Sequence, residues 1–104
     1  MVGKRTINIL RDFKKALSKH TKVEHTLLFG SRAWGKPTKH SDFDIIVVSK
    51  SFRQKNIFQR SNVVRKYWNP KYPADFLCYT PAEFKKLSKQ VTIVREAVLR
   101  GMNI

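Results

Sequence analysis

Asp42-Phe43-Asp44 places two carboxylates one residue apart, directly before the apolar run Ile45-Ile46-Val47-Val48, and ten residues separate Asp42 from the upstream pair Gly30-Ser31. Side chains alternate across a strand, so Asp42 and Asp44 share one face while Phe43 takes the other. Carboxylates held that close repel unless a cation lies between them, and hard oxygen donors suit a hard divalent ion, most simply Mg2+. Gly30 lets the backbone come close to a phosphate. A short helix starting beyond it, over about Arg32 to Gly35, directs N–H groups at an anion, while Ser31 adds a hydroxyl and Arg32 or Lys36 adds charge. Gly-Ser alone is an ordinary turn and Asp-x-Asp alone an acidic pair. Their joint occurrence at a fixed spacing is the strong signal.

The elements that would position these groups follow from apolar periodicity. Ile9, Leu10, Phe13, Ala16 and Leu17 recur at three- and four-residue steps, predicting an amphipathic helix over about Thr6 to Lys19 with its Lys and Arg on the wet face. Glu24 to Phe29 reads as a first strand ended by Gly30. Asp42 to Ser49 reads as a central strand covered on both faces. A second helix is expected from about Arg53 to Trp68, with Ile57, Val64 and Trp68 on one stripe. Ala74 to Tyr79 reads as a third strand. Thr80-Pro81-Ala82-Glu83 then carries the cap, first-turn proline and capping-box glutamate of a helix start. Phe84, Leu87, Val91, Val94 and Val98 continue that helix toward Gly101, with room for a break near Ser88 to Gln90.

The short first connection predicts antiparallel pairing of the first two strands, which sets Gly30 beside Asp42 and Asp44. The longer, helix-bearing second connection predicts a right-handed parallel crossover. Parallel neighbours start at the same edge, so Asp75, second in the third strand, should lie beside Asp44. Three carboxylates would then gather at one rim next to the Gly30-Ser31 turn, where a pair of Mg2+ ions would relieve their repulsion and bridge a nucleotide's phosphates.

At 104 residues the chain reads as one small domain, 1–104. It carries 22 Lys and Arg against 7 Asp and Glu, a formal +15. Such a balance calls for an anionic partner: nucleic acid, nucleotide phosphates or an acidic protein. The full set of acids is Asp12, Glu24, Asp42, Asp44, Asp75, Glu83 and Glu96. Three of them fall in strand-like segments, where burial makes charge expensive. Cys78 is the only cysteine, which excludes an internal disulfide and CxxC metal or redox sites. No apolar stretch approaches the roughly 20 residues of a membrane helix, and the start does not look like a signal peptide. A cytoplasmic protein without a membrane partner is expected. His20, His25 and His40 share no ligand spacing. Tyr67 and Trp68 could stack a base, although the place of Trp68 on the apolar stripe favours the core.

Gly30-Ser31-Arg32-Ala33-Trp34-Gly35, Ser41-Asp42-Phe43-Asp44 and Asp75 together resemble the minimal nucleotidyltransferase domain of the DNA polymerase beta superfamily, from the first helix through the third strand. The resemblance implies an α/β (α+β) fold, a small mixed sheet of at least three strands flanked by helices. It implies metal-binding, catalytic aspartates at Asp42 and Asp44 and a third catalytic carboxylate at Asp75. It also implies transfer of a nucleoside monophosphate, AMP first among them, from ATP or another NTP to a hydroxyl. Gly30, Ser31 and Arg32 would hold the nucleotide, and Asp75 would complete one metal's shell or accept the proton. Many small stand-alone members resemble antitoxins that adenylylate a tyrosine on an all-helical HEPN ribonuclease. A chain this short would need surface from a partner, either a second copy or such a helical protein. The rival reading is a non-catalytic basic module that holds nucleic acid or a toxin.

Overall fold

The computed structural model describes residues 2–35, 37 and 41–104; Lys36 and His40 lie outside the described residues. The order is α1 (Lys4–Ser18), β1 (His25–Phe29), α2 (Ser31–Trp34), β2 (Phe43–Val48), a 3-10 turn (Lys50–Gln54), α3 (Ile57–Arg65), β3 (Ala74–Tyr79), α4 (Pro81–Ser88), α5 (Ile93–Arg100) and β4 (Met102–Asn103). The strands form one mixed sheet in the order β3-β2-β1-β4. β1 runs antiparallel to both β2 and β4, and β2 runs parallel to β3, as the connection lengths require.

Helices cover both faces. Leu10, Phe13 and Leu17 of α1 and Val64 of α3 pack with Ile45, Val47, Phe76 and Trp68 on one side. Val94 and Ala97 of α5 pack with Leu27, Phe29, Ile46 and Val48 on the other. Ile45 through Val48 are therefore wholly buried, which explains a continuous apolar run where a half-exposed strand would alternate. Each such side chain contributes about 1.5–3 kcal/mol on burial. The helix start at Thr80 is as the residues predict. Its hydroxyl accepts from Glu83 N, Glu83 reaches back to the Thr80 N–H, and Pro81 occupies the first turn.

Two helical expectations need correction. The stretch Arg53 to Trp68 is not one helix: Ser49 accepts from Ser51 N and opens a separate 3-10 turn anchored by buried Phe52. Asn56, in a capping box with Gln59, then restarts the helix at Ile57. That restart turns Ile57 outward, 71% exposed, while Val64 and Trp68 are buried as expected. The last helix breaks after Ser88, where the residues left room for it, and what changes is the phase beyond: Thr92 accepts from Arg95 N and caps α5 afresh. Val91 falls in the break at 94% exposure and Val98 is turned to solvent, while Val94 and Ala97 face the sheet. β4, a two-residue strand beside Leu27 and Leu28, was not anticipated.

β3 is an edge strand. Phe43 N bonds to Pro73 O and Ser49 N to Tyr79 O, so the carbonyls of Ala74, Phe76 and Cys78 face away from β2. Two arginines of α3 reach them: Arg65 Nη1 donates to Ala74 O at 3.2 Å and Arg60 Nη1 to Cys78 O at 3.2 Å. Arg60 also bonds to Phe52 O, Lys55 O and the Glu83 carboxylate. No helix among the described residues is long and apolar enough to cross a membrane.

Candidate active site

Two register pairs draw one line of three residues across the end of the sheet. Phe29, the last residue of β1, lies opposite Asp44, and Asp44 lies opposite Asp75. In-register residues of parallel strands point to the same face about 4.8 Å apart, so the Asp44 and Asp75 carboxylates stand side by side. They lie on the α5 side of the sheet, in alternation with Ile46 and Val48. Asp44 is half-buried, whereas Asp42, just before β2, and Asp75 are exposed. Burial raises the Asp44 pKa above the usual carboxylate value, and the charges of Asp75 and then Asp42 push it further the same way. Asp44 thus carries its negative charge at a cost.

Gly30 closes the line on the β1 side. It alone among the described residues has positive φ, with φ 74° and ψ −160°, a region that is essentially glycine-only. A Cβ there would run into Asp44 Oδ2 and stand 3.1 Å from Asp44 Cγ. Glycine is therefore required twice, by backbone conformation and by the approach of the carboxylate. The chain then enters α2, where Gly30 O accepts from Ala33 N and Trp34 N at 3.0 and 3.1 Å, with Ser31 exposed at the first position.

Arg32, expected at the nucleotide, has contacts that also give it a structural task. Its Nε donates to Ser41 O at 2.9 Å, and its guanidinium lies 4.2 Å from the centroid of the Phe43 ring. α2 is thereby tied to the residues on either side of Asp42. Phe43 is locked from beneath by Trp68 and Tyr72, with ring centroids 5.0 and 5.9 Å away. The Phe43 N–H bonds to Pro73 O at 2.9 Å, which fixes the start of β2 against the start of β3 and so Asp44 against Asp75. Sequence reasoning missed this clamp, since nothing in residue types alone pairs Arg32 with Phe43.

Among the described residues no three histidine, cysteine or carboxylate side chains close around one point. The rim offers an in-register pair, Asp44 and Asp75, with Asp42 alongside. Their all-oxygen chemistry and the raised Asp44 pKa fit a hard divalent cation, which would remove the repulsion. Cys78 is not a rival nucleophile: burial pushes its thiol up to about 12, against the lowering pull of Arg60 and Arg65.

The family model "Polymerase beta, Nucleotidyltransferase" matches residues 11–100. Among solved structures, the chain is similar to a putative nucleotidyltransferase from Sulfolobus solfataricus, with a TM-score of 0.69 and 20% identity over 95% of this chain and 78% of that one. It is also similar in fold to BolA1 from Arabidopsis thaliana, with a TM-score of 0.55 and 18% identity over 72% of this chain and 93% of that one. The BolA domain of SufE1 from Arabidopsis thaliana gives a TM-score of 0.56 and 17% identity over 80% and 99%. At these identities the likeness is one of fold. No curated protein matches the chain by sequence. With its family match running from α1 to the end of α5, and a mixed sheet that sets Gly30, Asp44 and Asp75 in line, the chain belongs to the polymerase beta nucleotidyltransferase family.

Proposed function

We propose that the protein is a Mg2+-dependent nucleotidyltransferase that moves AMP from ATP to a hydroxyl on a partner protein. The observation that carries this reading is the in-register Asp44–Asp75 pair beside Gly30, in a chain of a nucleotidyltransferase family. Asp42 and Asp44 would hold the metal, with Asp75 completing the set. Bound Mg2+ supplies neutralising charge, a more acidic acceptor hydroxyl and a stabilised leaving pyrophosphate. The Gly30 backbone, approachable because it lacks a side chain, and the exposed Ser31 hydroxyl bind the triphosphate, and Arg32 keeps α2 in place against β2. Asp75, the exposed member of the pair, takes the proton from the attacking hydroxyl as the new bond to the α-phosphorus forms and the bond to pyrophosphate breaks. Asp42 and Asp75 are exposed at the rim, which supports an acceptor brought by another chain. A HEPN-type helical protein with an accessible tyrosine, in a cytoplasmic toxin–antitoxin pair, fits that need, and a second copy of this chain could supply further surface.

The test is incubation with Mg2+, α-labelled ATP and the co-expressed product of the neighbouring gene, followed by mass spectrometry for an added AMP. Asp42→Asn with Asp44→Asn should abolish labelling. Undiminished labelling by the double variant would remove the carboxylates from the mechanism.

A further inference from the structure

Of the seven carboxylates, three stand at the rim, Glu83 pairs with Arg60 at 2.7 Å, Glu96 pairs with Arg100 at 2.9 Å, and Glu24 accepts from Lys50 N at 3.0 Å. Among the described residues those two pairs are the only ion pairs. Counter-charge for the rest of a +15 chain must come from outside it.

The shape of the α1 side says what form that counter-charge takes. Lys4, Arg11, Lys15 and Lys19 are all exposed and fall within an arc of about 80° at 100° per residue. Beside this face runs a groove of about 430 Å³ between α1 and the end of α3, with Ile9, Asp12 and Ala16 on one wall and Lys66, Tyr67 and Trp68 on the other. Exposed His20 stacks on Tyr67, with centroids 4.9 Å apart and planes within 15°, so the aromatic wall is two rings deep. A second groove of about 450 Å³ shares Ile9 and is lined by Arg5, Tyr72 and Phe43, the ring set between Asp42 and Asp44. Arg5, Ile9, Asp12 and Ala16 follow one another at helical spacing on one face of α1, about 17 Å from end to end. The two grooves thus lie along the same face of α1, one on each side of Ile9.

An aromatic wall at Tyr67 and His20, flanking cations and one carboxylate able to accept from a base amino group match the chemistry of an unpaired nucleotide strand. A duplex buries its base faces and could not offer them to Tyr67. We infer that the α1–α3 groove is a binding site for single-stranded nucleic acid, with phosphates on the α1 cations and Lys66 and a base against Tyr67. The site lies on the sheet face opposite Asp44 and Asp75 and does not depend on the transfer reaction.

Fluorescence anisotropy with a labelled ten-nucleotide RNA of mixed sequence, the matching single-stranded DNA and the duplex tests this. Both single strands should bind at least about tenfold tighter than the duplex, and Tyr67→Ala should cost about tenfold or more. Lys15→Gln with Lys66→Gln should reduce the slope of log affinity against log salt by about 1.4. The charge-matched pair Lys85→Gln, on α4, with Lys89→Gln, just past its end, should stay within about twofold of the parent. Should Tyr67→Ala melt early, exposed His20→Ala must still weaken binding by removing the stacked ring. Equal losses from the two lysine pairs would mean diffuse attraction and overturn the site, as would duplex binding as tight as single strand. Displacement by polyglutamate as readily as by unlabelled RNA would mean an acidic protein segment and would also overturn it. Asp42→Asn with Asp44→Asn should keep oligonucleotide binding, so loss of transfer and loss of the groove remain separate results.

Discussion

Replacing Gly30 by alanine tests the site's geometry most directly, because two independent penalties converge on one methyl group. At φ 74° and ψ −160° a side chain costs about 1–3 kcal/mol. The new Cβ would also meet Asp44 Oδ2 and Cγ, and turning that carboxylate off its rotamer costs about 0.5–1.5 kcal/mol more. The sum is about 2–4 kcal/mol. For a domain of this size that lowers Tm by roughly 10–20 °C, readable by calorimetry and urea unfolding. A double-mutant cycle with Asp44→Ala separates the two parts: truncating Asp44 removes the collision but not the backbone strain, so the coupling should be about 0.5–1.5 kcal/mol. AMP transfer by Gly30→Ala should fall further than stability explains, since the displaced group is a proposed metal ligand. A Gly30→Ala protein with parental Tm and additive behaviour in the cycle would refute both the backbone argument and the close packing of Gly30 on Asp44.

Asp44→Asn should abolish transfer yet raise Tm at pH 7. The folded-state pKa of Asp44 lies above its ordinary 3.8, so ionisation destabilises the fold at neutral pH and the penalty vanishes as pH falls below that value. The Tm gap between variant and parent should therefore close in acid, and a pH series of melts checks it. Arg60→Ala should cost about 3 kcal/mol or more in urea unfolding, because it strips donors from the carbonyls of Phe52, Lys55 and Cys78. Glu83→Ala, removing the more exposed partner, should cost about 1 kcal/mol through the lost cap and ion pair. In Gly101→Ala the added Cβ would collide with Ala97 O and stand 2.7 Å from Leu28 O, costing about 1–3 kcal/mol. Faster hydrogen exchange at Ile104 N, which bonds to Thr26 O at 3.0 Å, would report the loosening of β4.

The strand framework was legible because its signals are local and redundant. Ile45 to Val48 could only be a covered strand, Gly30 ended the strand before it, and connection lengths dictated the antiparallel and parallel pairings. From those alone Asp75 could be set beside Asp44. The helices were less legible because apolar spacing does not record where a helix stops: Ile57 and Val91 fit a stripe on paper, yet Asn56 and Thr92 cap new helices with a different phase. β4 escaped notice because two residues carry no periodicity, and their pairing is decided by how α5 returns to β1. Within the candidate site, residue types revealed the carboxylates and the glycine. The Arg32–Ser41–Phe43 clamp depends on contacts between separate elements, which spacing does not encode.

The guanidinium bonds to Ala74 O and Cys78 O bear on how copies of this protein meet. An open sheet border is the usual template for runaway strand addition, and here the outward carbonyls at both ends of β3 are already engaged by α3. At the other border β4 offers only two residues. Association by extending the sheet is thereby discouraged at each side, leaving contacts through helix surfaces as the route to any stable complex.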